Sequence, residues 1–177
     1  CFFTGGEPLA RPDILELCSH VVDTHRRQLV ILTNGTLLNG DRLARLAAFA
    51  ADGALQIQVS LDGPTAEIND PIRGRGSFAR IVDGVTAAVA AGLKLTLTTT
   101  ILRHNMSELN AIVRRAAALN IHNIHLLWPH ARGRVLDGAF SDLPSADEIL
   151  AAVRDAGRVA HEVGISIDNI EEFRLRM

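Results

Sequence analysis

The chain has 177 residues, with 18 basic and 20 acidic side chains and a formal charge of −2. This length predicts one domain, and a composition of 47% hydrophobic and 21% charged residues is typical of a globular chain with a buried core. The near-neutral charge excludes a general nucleic-acid binder or a binder of anionic membranes, because both need an excess of positive charge.

Cysteine content and hydropathy restrict the cellular setting. The two cysteines, Cys1 and Cys18, are too few for a disulfide framework or a metal knuckle, so we expect a cytoplasmic location. Stretches without charged residues are short and contain polar residues, which predicts no membrane-spanning segment. The chain has no initiator Met and opens inside a strand-like pattern. We therefore expect a fragment whose start lies upstream.

Apolar runs that predict β-strands occur six times along the chain. They cover residues 1–4, 29–33, 55–61, 95–102, 121–128 and 165–167. Three of the intervals between them contain apolar residues at the i, i+3, i+4, i+7 spacing of a helix. These sets are Ile14, Leu17, Cys18 and Val21; Phe78, Ile81, Val82 and Val85; and Leu109, Ile112, Val113 and Ala116.

Helix ends are marked by residues that favour caps. Ser145 and Glu148 form the Ser-x-x-Glu pattern of a capping box. Pro12 suits the first turn of a helix, whereas residues 63–76 resemble a long loop. Three residues that tolerate a left-handed conformation follow apolar helices: Gly92, Asn120 and Gly164.

The alternation of strands and helices predicts a parallel sheet built from βα repeats. In residues 55–62 one side of the strand is apolar and the other is polar, and residues 95–101 repeat that division. A sheet with helices on both faces would read as continuous apolar runs. The pattern instead predicts an α/β fold of the partial (β/α)6 barrel type, with a polar interior.

Ligands of such folds bind at the carboxyl ends of the strands, where the unusual residues of this chain lie. The first strand ends in Gly5, Gly6, Glu7 and Pro8. The glycines allow a ligand to approach the backbone, Glu7 supplies a carboxylate, and Pro8 fixes the direction in which the chain leaves. This corner suits an ammonium group, although a plain tight turn with a solvated glutamate remains an alternative.

Three segments at strand ends, residues 3–9, 32–35 and 59–63, together resemble the radical S-adenosylmethionine (SAM) enzymes. Residues 60–78 resemble the branch of that family with a C-terminal SPASM domain, and residues 126–134 are similar to peptide-modifying members. The resemblance covers most of residues 2–134. It implies that residues 1–177 are part of one TIM-like core barrel, truncated at its N-terminus, without its first βα unit and without the C-terminal auxiliary-cluster domain.

The resemblance also implies a SAM site. Gly5, Gly6 and Glu7 would hold the methionyl ammonium group, with Pro8 completing the turn. Ser60 and Asp62 would lie near the ribose or the carboxylate of SAM.

For other contacts with SAM, the resemblance leaves more than one residue or role open. Arg73 would pair with the carboxylate of SAM, with Arg80 as the second choice. Asn34 either faces the ligand or serves its own turn. The backbone around Leu126 and Leu127 would flank the adenine.

The resemblance implies a [4Fe–4S] cluster and generation of a 5′-deoxyadenosyl radical that modifies a peptide or protein substrate. An electron donor such as flavodoxin or ferredoxin would be a partner. The Cys-x3-Cys-x2-Cys motif that holds the cluster is not in this chain, so we expect the chain alone to be inactive. No catalytic residue is assigned, and Asn69 stands where many relatives have histidine.

Histidines near the last long strand do not predict a metal site. His122, His125 and His130 have no companion ligands in the sequence, so polar lining or loop surface describes them better. His125 could face the barrel interior, on the side of Asn123. Trp128 is interpreted as a packing residue or a wall of the substrate entrance.

Two other functions fit parts of the pattern. The chain could be a non-catalytic relative that keeps the SAM-shaped site and binds peptides as the partner of an active enzyme. It could also be an unrelated barrel that binds a phosphorylated metabolite through residues 131–134, although that glycine content is low for a phosphate loop.

Overall fold

Strands and helices alternate along the chain in the computed structural model, which describes residues 1–51, 53–129 and 143–174. The strands are β1 (Phe2–Phe3), β2 (Leu29–Thr33), β3 (Leu55–Ser60), β4 (Leu95–Thr100), β5 (Asn123–Leu127) and β6 (Ser166–Ile167). The α-helices are α1 (Ile14–Ser19), α2 (Gly40–Ala51), α3 (Ala66–Arg73), α4 (Ser77–Ala90), α5 (Leu109–Ala118), α6 (Ala146–Val163) and α7 (Ile170–Arg174). Short 3-10 helices cover Pro8–Ala10 and Met106–Glu108, and a π-helix covers His20–Thr24.

The six strands form one parallel sheet in the order β1-β2-β3-β4-β5-β6. Each strand pairs with its neighbours in the sequence, as in the wall of a (β/α) barrel. A doubly wound sheet would instead reverse its strand order at a switch point. The predicted α/β fold with a partial barrel is confirmed.

The two faces of the sheet differ as the alternating pattern predicts. On β3, the side chains of Leu55, Ile57 and Val59 are at most 4% exposed, because they pack under the helices. Gln58 and Ser60 of the same strand point the other way and are only partly buried. We call these the core face and the polar face of the sheet.

Most helix ends agree with the capping residues. Ser145 and Glu148 make both hydrogen bonds of the capping box at the start of α6. Asn120 adopts a left-handed conformation with φ of 55°, as do Gly92 and Gly164. The prediction for Pro12 is wrong, because α1 begins at Ile14 and Pro12 lies in the preceding turn.

The prediction of a long loop over residues 63–76 is also wrong. The structure places α3, an eight-residue helix, within this range. Pro71 lies inside α3 and several glycines flank it, so a local reading of helix breakers missed this helix.

The end of α1 shows a second departure from the expected pattern. The helix continues as a π-helix from His20, so fewer residues follow the i, i+3, i+4, i+7 spacing. The extra residue per turn rotates the chain, and Val22 is buried at 9% exposure while Val21 is only partly buried. None of the helices in the described ranges combines the length and apolarity that a bilayer crossing requires.

Candidate functional site

Glu7 follows β1 and connects the ends of the first two strands. Its Oε1 accepts hydrogen bonds from the backbone N–H of Leu9 at 3.0 Å and from the Thr33 hydroxyl at 2.7 Å. Its Oε2 accepts one from the backbone N–H of Asn34 at 2.7 Å. A carboxylate offers roughly four acceptor positions, so about one remains for a ligand on Oε2.

Gly5 and Gly6 leave open space beside this carboxylate. A Cβ atom placed on either residue would meet no heavy atom within 4 Å. Gly5 has φ of +129°, a conformation that residues with a Cβ rarely adopt. A ligand can therefore approach the backbone here, next to the remaining acceptor position of Glu7.

Asn34 serves its own turn. Its Oδ1 accepts hydrogen bonds from the backbone N–H of Thr36 at 2.9 Å and from the Thr36 hydroxyl at 2.7 Å. These hydrogen bonds use the oxygen of the Asn34 side chain in the turn, whereas its Nδ2 group makes no hydrogen bond to any described residue.

Asp62, after β3, is 1% exposed and is held by hydrogen bonds on all its polar groups. Asn69 accepts a hydrogen bond from its backbone N–H at 3.0 Å, and Asn105 donates one to its carbonyl at 2.9 Å. The backbone N–H of Thr100 donates to Oδ1 at 2.8 Å. Arg73 Nε donates to Oδ2 at 2.5 Å. The structure thus brings two of the predicted site residues, Asp62 and Arg73, into one ion pair.

Arg73 remains partly available after this contact. Its side chain is 26% exposed, and within the described part of the chain its terminal amino groups donate no hydrogen bond. Arg80 lies on the exposed side of α4 and does not reach Asp62. Of the two arginines that the sequence offered, Arg73 is therefore the one that the structure links to the strand ends.

Asp70 organises the segment between α3 and α4, and the sequence analysis did not single it out. Its carboxylate accepts hydrogen bonds from the backbone N–H groups of Gly76 at 2.6 Å and Phe78 at 2.8 Å, and from the Ser77 hydroxyl at 3.0 Å. The bond from Phe78 is the main cause that lowers the pKa of Asp70. An aspartate six residues before a glycine gives no recognisable capping pattern, so no local signal could have found this role.

On the far side of the sheet, the loop after β6 is tied to β5. Asn169 accepts a hydrogen bond from the Leu126 N–H at 3.1 Å and donates one to the Leu126 carbonyl at 2.7 Å. The carbonyl of Leu127 accepts one from the Ile101 N–H at 3.0 Å, and the Leu127 side chain is 37% exposed. Trp128 stacks on Phe173 with ring centroids 5.7 Å apart, which confirms its packing role.

A groove of about 620 Å³ lies elsewhere, between α6 and α7. Its lining includes Val153, Gly157, Ile170 and Phe173, and none of the predicted site residues contributes to it. We assign it no part in the site.

A sequence model of the radical SAM superfamily matches residues 1–116, which is more than half of the chain. The chain belongs to the radical SAM superfamily. Mycofactocin maturase MftC of Mycobacterium ulcerans is 38% identical over 136 residues, which cover 73% of this chain and 34% of that protein. The AdoMet-dependent heme synthase of Methanosarcina barkeri is 34% identical over 133 residues, covering 73% of this chain and 37% of the synthase.

The fold agrees with this membership. SuiB of Streptococcus suis, solved in complex with its precursor peptide SuiA, superposes with a TM-score of 0.71 at 16% identity, covering 91% of this chain and 34% of SuiB. This radical SAM chain therefore spans about a third of the length of the relatives it matches. Family members use SAM and a [4Fe–4S] cluster.

The described residues of this radical SAM chain fit SAM but not the cluster. The open backbone at Gly5 and Gly6 and the remaining acceptor position of Glu7 suit a small cationic group. Thr98, on the polar face, has a buried hydroxyl without a hydrogen-bond partner, which is a polar atom that a ligand environment would explain.

For the cluster, no group of three or more His, Cys, Asp or Glu side chains that could hold a metal occurs among the described residues. Burial raises the pKa of the Cys18 thiol to about 11, so Cys18 remains a thiol in the core. The predicted position of His130 and the possible phosphate loop at residues 131–134 lie outside the described residues.

Proposed function

We propose that this chain forms the SAM-binding wall of a radical SAM core barrel that extends over residues 1–177. The observation that carries the proposal is the corner after β1, where Glu7 keeps about one acceptor position beside an open backbone. The methionyl ammonium of SAM is a donor that fits this position. Pro8 supports the corner by starting the 3-10 helix that follows.

The carboxylate of SAM pairs with Arg73. Nε of Arg73 is held by Asp62 at the end of β3, and its terminal amino groups make no hydrogen bond to any described residue, so they remain for the ligand carboxylate. Asp62 is then a positioning residue, since both of its carboxylate oxygens hold protein donors. Ser60, at the end of β3, contributes a hydroxyl to the ribose or the carboxylate.

Two further residues, Asn34 and Leu127, contribute to the SAM site less directly. Asn34 contributes through its turn, which presents a backbone N–H to Glu7. The strand end at Leu127 flanks the adenine with a partly exposed apolar side chain.

The protein that carries this chain acts on a peptide or protein substrate. A [4Fe–4S] cluster, held by residues other than the described ones, would supply the electron for reductive cleavage of SAM, and flavodoxin or ferredoxin would be its electron donor. The similarity to mycofactocin maturase supports a peptide substrate.

The test compares two substitutions that keep the positive charge in the intact protein. Arg73→Lys removes the guanidinium group, whose several N–H donors can bind Asp62 and a ligand carboxylate at the same time. We therefore expect the Kd for SAM to rise about tenfold. Arg80→Lys, on the exposed side of α4, is the matched control and leaves the Kd within about twofold. Equilibrium binding of radiolabelled SAM measures both.

An equal effect of the two substitutions, or none for Arg73→Lys, would contradict the assignment of Arg73. Intact protein that binds no SAM at all would overturn the proposal as a whole.

A further inference from the structure

A row of polar side chains crosses the polar face of the sheet at one level. Ser60 of β3 pairs in register with Thr98 of β4, which pairs with His125 of β5. Asp168 directly follows β6, and its backbone N–H donates to the Ile124 carbonyl at 3.1 Å. We call these four residues, Ser60, Thr98, His125 and Asp168, the polar row.

Asp168 holds the imidazole of His125 in one orientation. Its Oδ1 lies 2.7 Å from His125 Nδ1, and its Oδ2 accepts a hydrogen bond from Asn123 Nδ2 at 2.8 Å. Asn123 also donates to the Thr96 hydroxyl at 3.0 Å. Asn169 clamps the next residue of β5, so the carboxylate cannot move away from the strand without breaking several hydrogen bonds.

These contacts determine which nitrogen of His125 is available. An ionised carboxylate only accepts hydrogen bonds, so Nδ1 carries the proton in the contact with Asp168. In a neutral imidazole, Nε2 then has an unshared electron pair and is an acceptor. Within the described part of the chain, Nε2 has no hydrogen-bond partner, and the side chain is 27% exposed.

Two further groups of the polar row are unused. Thr98 is only 4% exposed, and its buried hydroxyl has no hydrogen-bond partner. The Ser60 hydroxyl makes no hydrogen bond to any described residue. Neighbouring strands lie about 4.8 Å apart, so Ser60 and His125 are separated by about 10 Å. A second molecule bound at His125 would therefore lie next to a SAM molecule that contacts Ser60.

We propose that His125 is a substrate-recognition residue, positioned by Asp168, whose Nε2 accepts a hydrogen bond from an uncharged N–H or O–H group of the substrate. The inference rests on the proposed function and deepens it, because it assigns the half of the polar face that SAM does not use. The ligand chemistry is that of a peptide amide or a hydroxyl side chain.

The charge of the polar face supports an uncharged donor. The polar side chains of β3, β4, β5 and β6 on this face are amides, hydroxyls and one imidazole, without lysine or arginine, and the carboxylate of Asp168 already contacts His125 and Asn123. These strands offer no cationic side chain to a substrate that carries carboxylates. They offer an amide hydrogen-bonding groups at several positions along the strands.

The experiment uses crystals of the intact protein with bound SAM, soaked with N-methylacetamide as a minimal peptide bond. In the wild type we expect the amide with its nitrogen about 3 Å from Nε2 of His125. His125→Asn and His125→Gln form a matched pair. The asparagine amide reaches only the position of Nδ1, so it can keep the contact with Asp168. The glutamine amide reaches the position of Nε2.

We expect the bound amide to be retained in His125→Gln and lost in His125→Asn, in the same crystal form and at the same soak concentration. Retention in His125→Asn, or a wild-type site without the amide while SAM is bound, overturns the inference and leaves SAM binding intact. Adenosine of SAM at Nε2 also overturns it, because His125 would then belong to the SAM site. Crystals without SAM density would instead contradict the proposed function itself.

Discussion

Single residues at the strand ends are linked in pairs, and Asp62 with Arg73 is the tightest. The aspartate is 1% exposed and the arginine 26%, so one partner is fully desolvated and the other still meets solvent. Removing either partner from a buried pair leaves an uncompensated charge, which typically costs about 3–5 kcal/mol. Because Arg73 is partly exposed, we expect its substitution to cost a free energy of unfolding near the lower end of that range. Activity lost in an Asp62 variant would therefore combine misfolding with a displaced Arg73.

Glu7→Gln tests the corner after β1. The two backbone N–H donors of Leu9 and Asn34 would face an amide that offers only one oxygen, so at least one donor loses its partner. We expect a loss of about 1–3 kcal/mol in the free energy of unfolding and a rise of at least tenfold in the Kd for SAM, or about 1.4 kcal/mol.

Urea unfolding and SAM binding by the intact protein measure the two effects of Glu7→Gln. Glu16→Gln, at an exposed position of α1, is the control and changes neither. Unchanged SAM binding in a Glu7→Gln protein of reduced stability would show that Glu7 acts only within the fold.

At the scale of elements, α4 packs against the turn between β2 and α2 through two glycines. A Cβ on Gly84 would collide with the carbonyl oxygen of Gly35. Gly35 itself has φ of +77°, and a Cβ there would lie 2.7 Å from Val59 Cγ1. The start of α4 is held by Asp70 of α3, which accepts hydrogen bonds from Gly76, Ser77 and Phe78.

Gly84→Ala and Gly157→Ala separate packing from helix propensity. Alanine favours a helix over glycine by about 1 kcal/mol, so propensity alone predicts stabilisation at both positions. At Gly84 the new methyl meets backbone, and we expect destabilisation by about 1–3 kcal/mol. At Gly157 it meets only Ile170 Cδ1, the end of a flexible side chain. We expect that variant to match or exceed the wild type in thermal unfolding midpoint. The same sign at both positions would contradict the packing argument.

The capping box of α6 contains a carboxylate, Glu148, that should make the stability of the fold depend on pH. Arg103 Nη1 lies 2.9 Å from Glu148 Oε1, and this contact, followed by the hydrogen bonds from Ser145, lowers the pKa of Glu148 from 4.5 to about 2. A lowered pKa means that the carboxylate stabilises the folded state above its unfolded pKa, and that this contribution is lost as the pH falls from about 4.5 toward 2.

Glu148→Gln should therefore lower the thermal unfolding midpoint most near pH 7, and by much less near pH 3, where the wild type has lost part of the same contribution. Glu162→Gln, near the other end of α6, is the control for removing an exposed carboxylate. A difference that grows toward acid pH would have the wrong sign for this account.

At the scale of the molecule, the sheet has an apolar core on one side and a polar face on the other. Among the described residues, helices cover the core face, and the polar face presents hydroxyl, amide and imidazole groups at the carboxyl ends of the strands. An eight-stranded barrel usually fills its interior with branched apolar side chains. The polar face here instead offers hydrogen-bonding groups to the SAM and the peptide of the proposed function.

Cys18→Ala tests the conclusion that the described residues do not ligate the cluster. Because burial raises the pKa of this thiol to about 11, the thiolate that iron needs is scarce at neutral pH. We expect the intact variant, reconstituted under anaerobic conditions, to keep the wild-type iron content and absorption near about 400 nm. Cys1→Ala, at an exposed position, should behave in the same way. Iron loss in a Cys18→Ala protein that unfolds normally would show that Cys18 is a ligand.

The sequence by itself determined the parallel α/β architecture, the strand positions and the motifs at their carboxyl ends. These features depend on short-range spacing: the period of two in residues 55–61, the helical period from Leu109 and the cap at Ser145 all lie within a few residues. Predictions from local spacing were wrong where a local rule had an exception, as at Pro71 inside α3 and at the π-helix, where Val22 is buried and Val21 only partly buried.

Only the tertiary structure decided which polar groups meet. His125 and Asp168 are 43 residues apart, and Thr100 and Asp62 are 38 apart. Each pair forms because neighbouring strands have one particular register, and register depends on how a whole strand buries its apolar side. A motif can place Arg73 near the strand ends, but whether its guanidinium turns to a ligand or to Asp62 depends on distances across the sheet. Those distances are a property of packing, which no local pattern in the sequence contains.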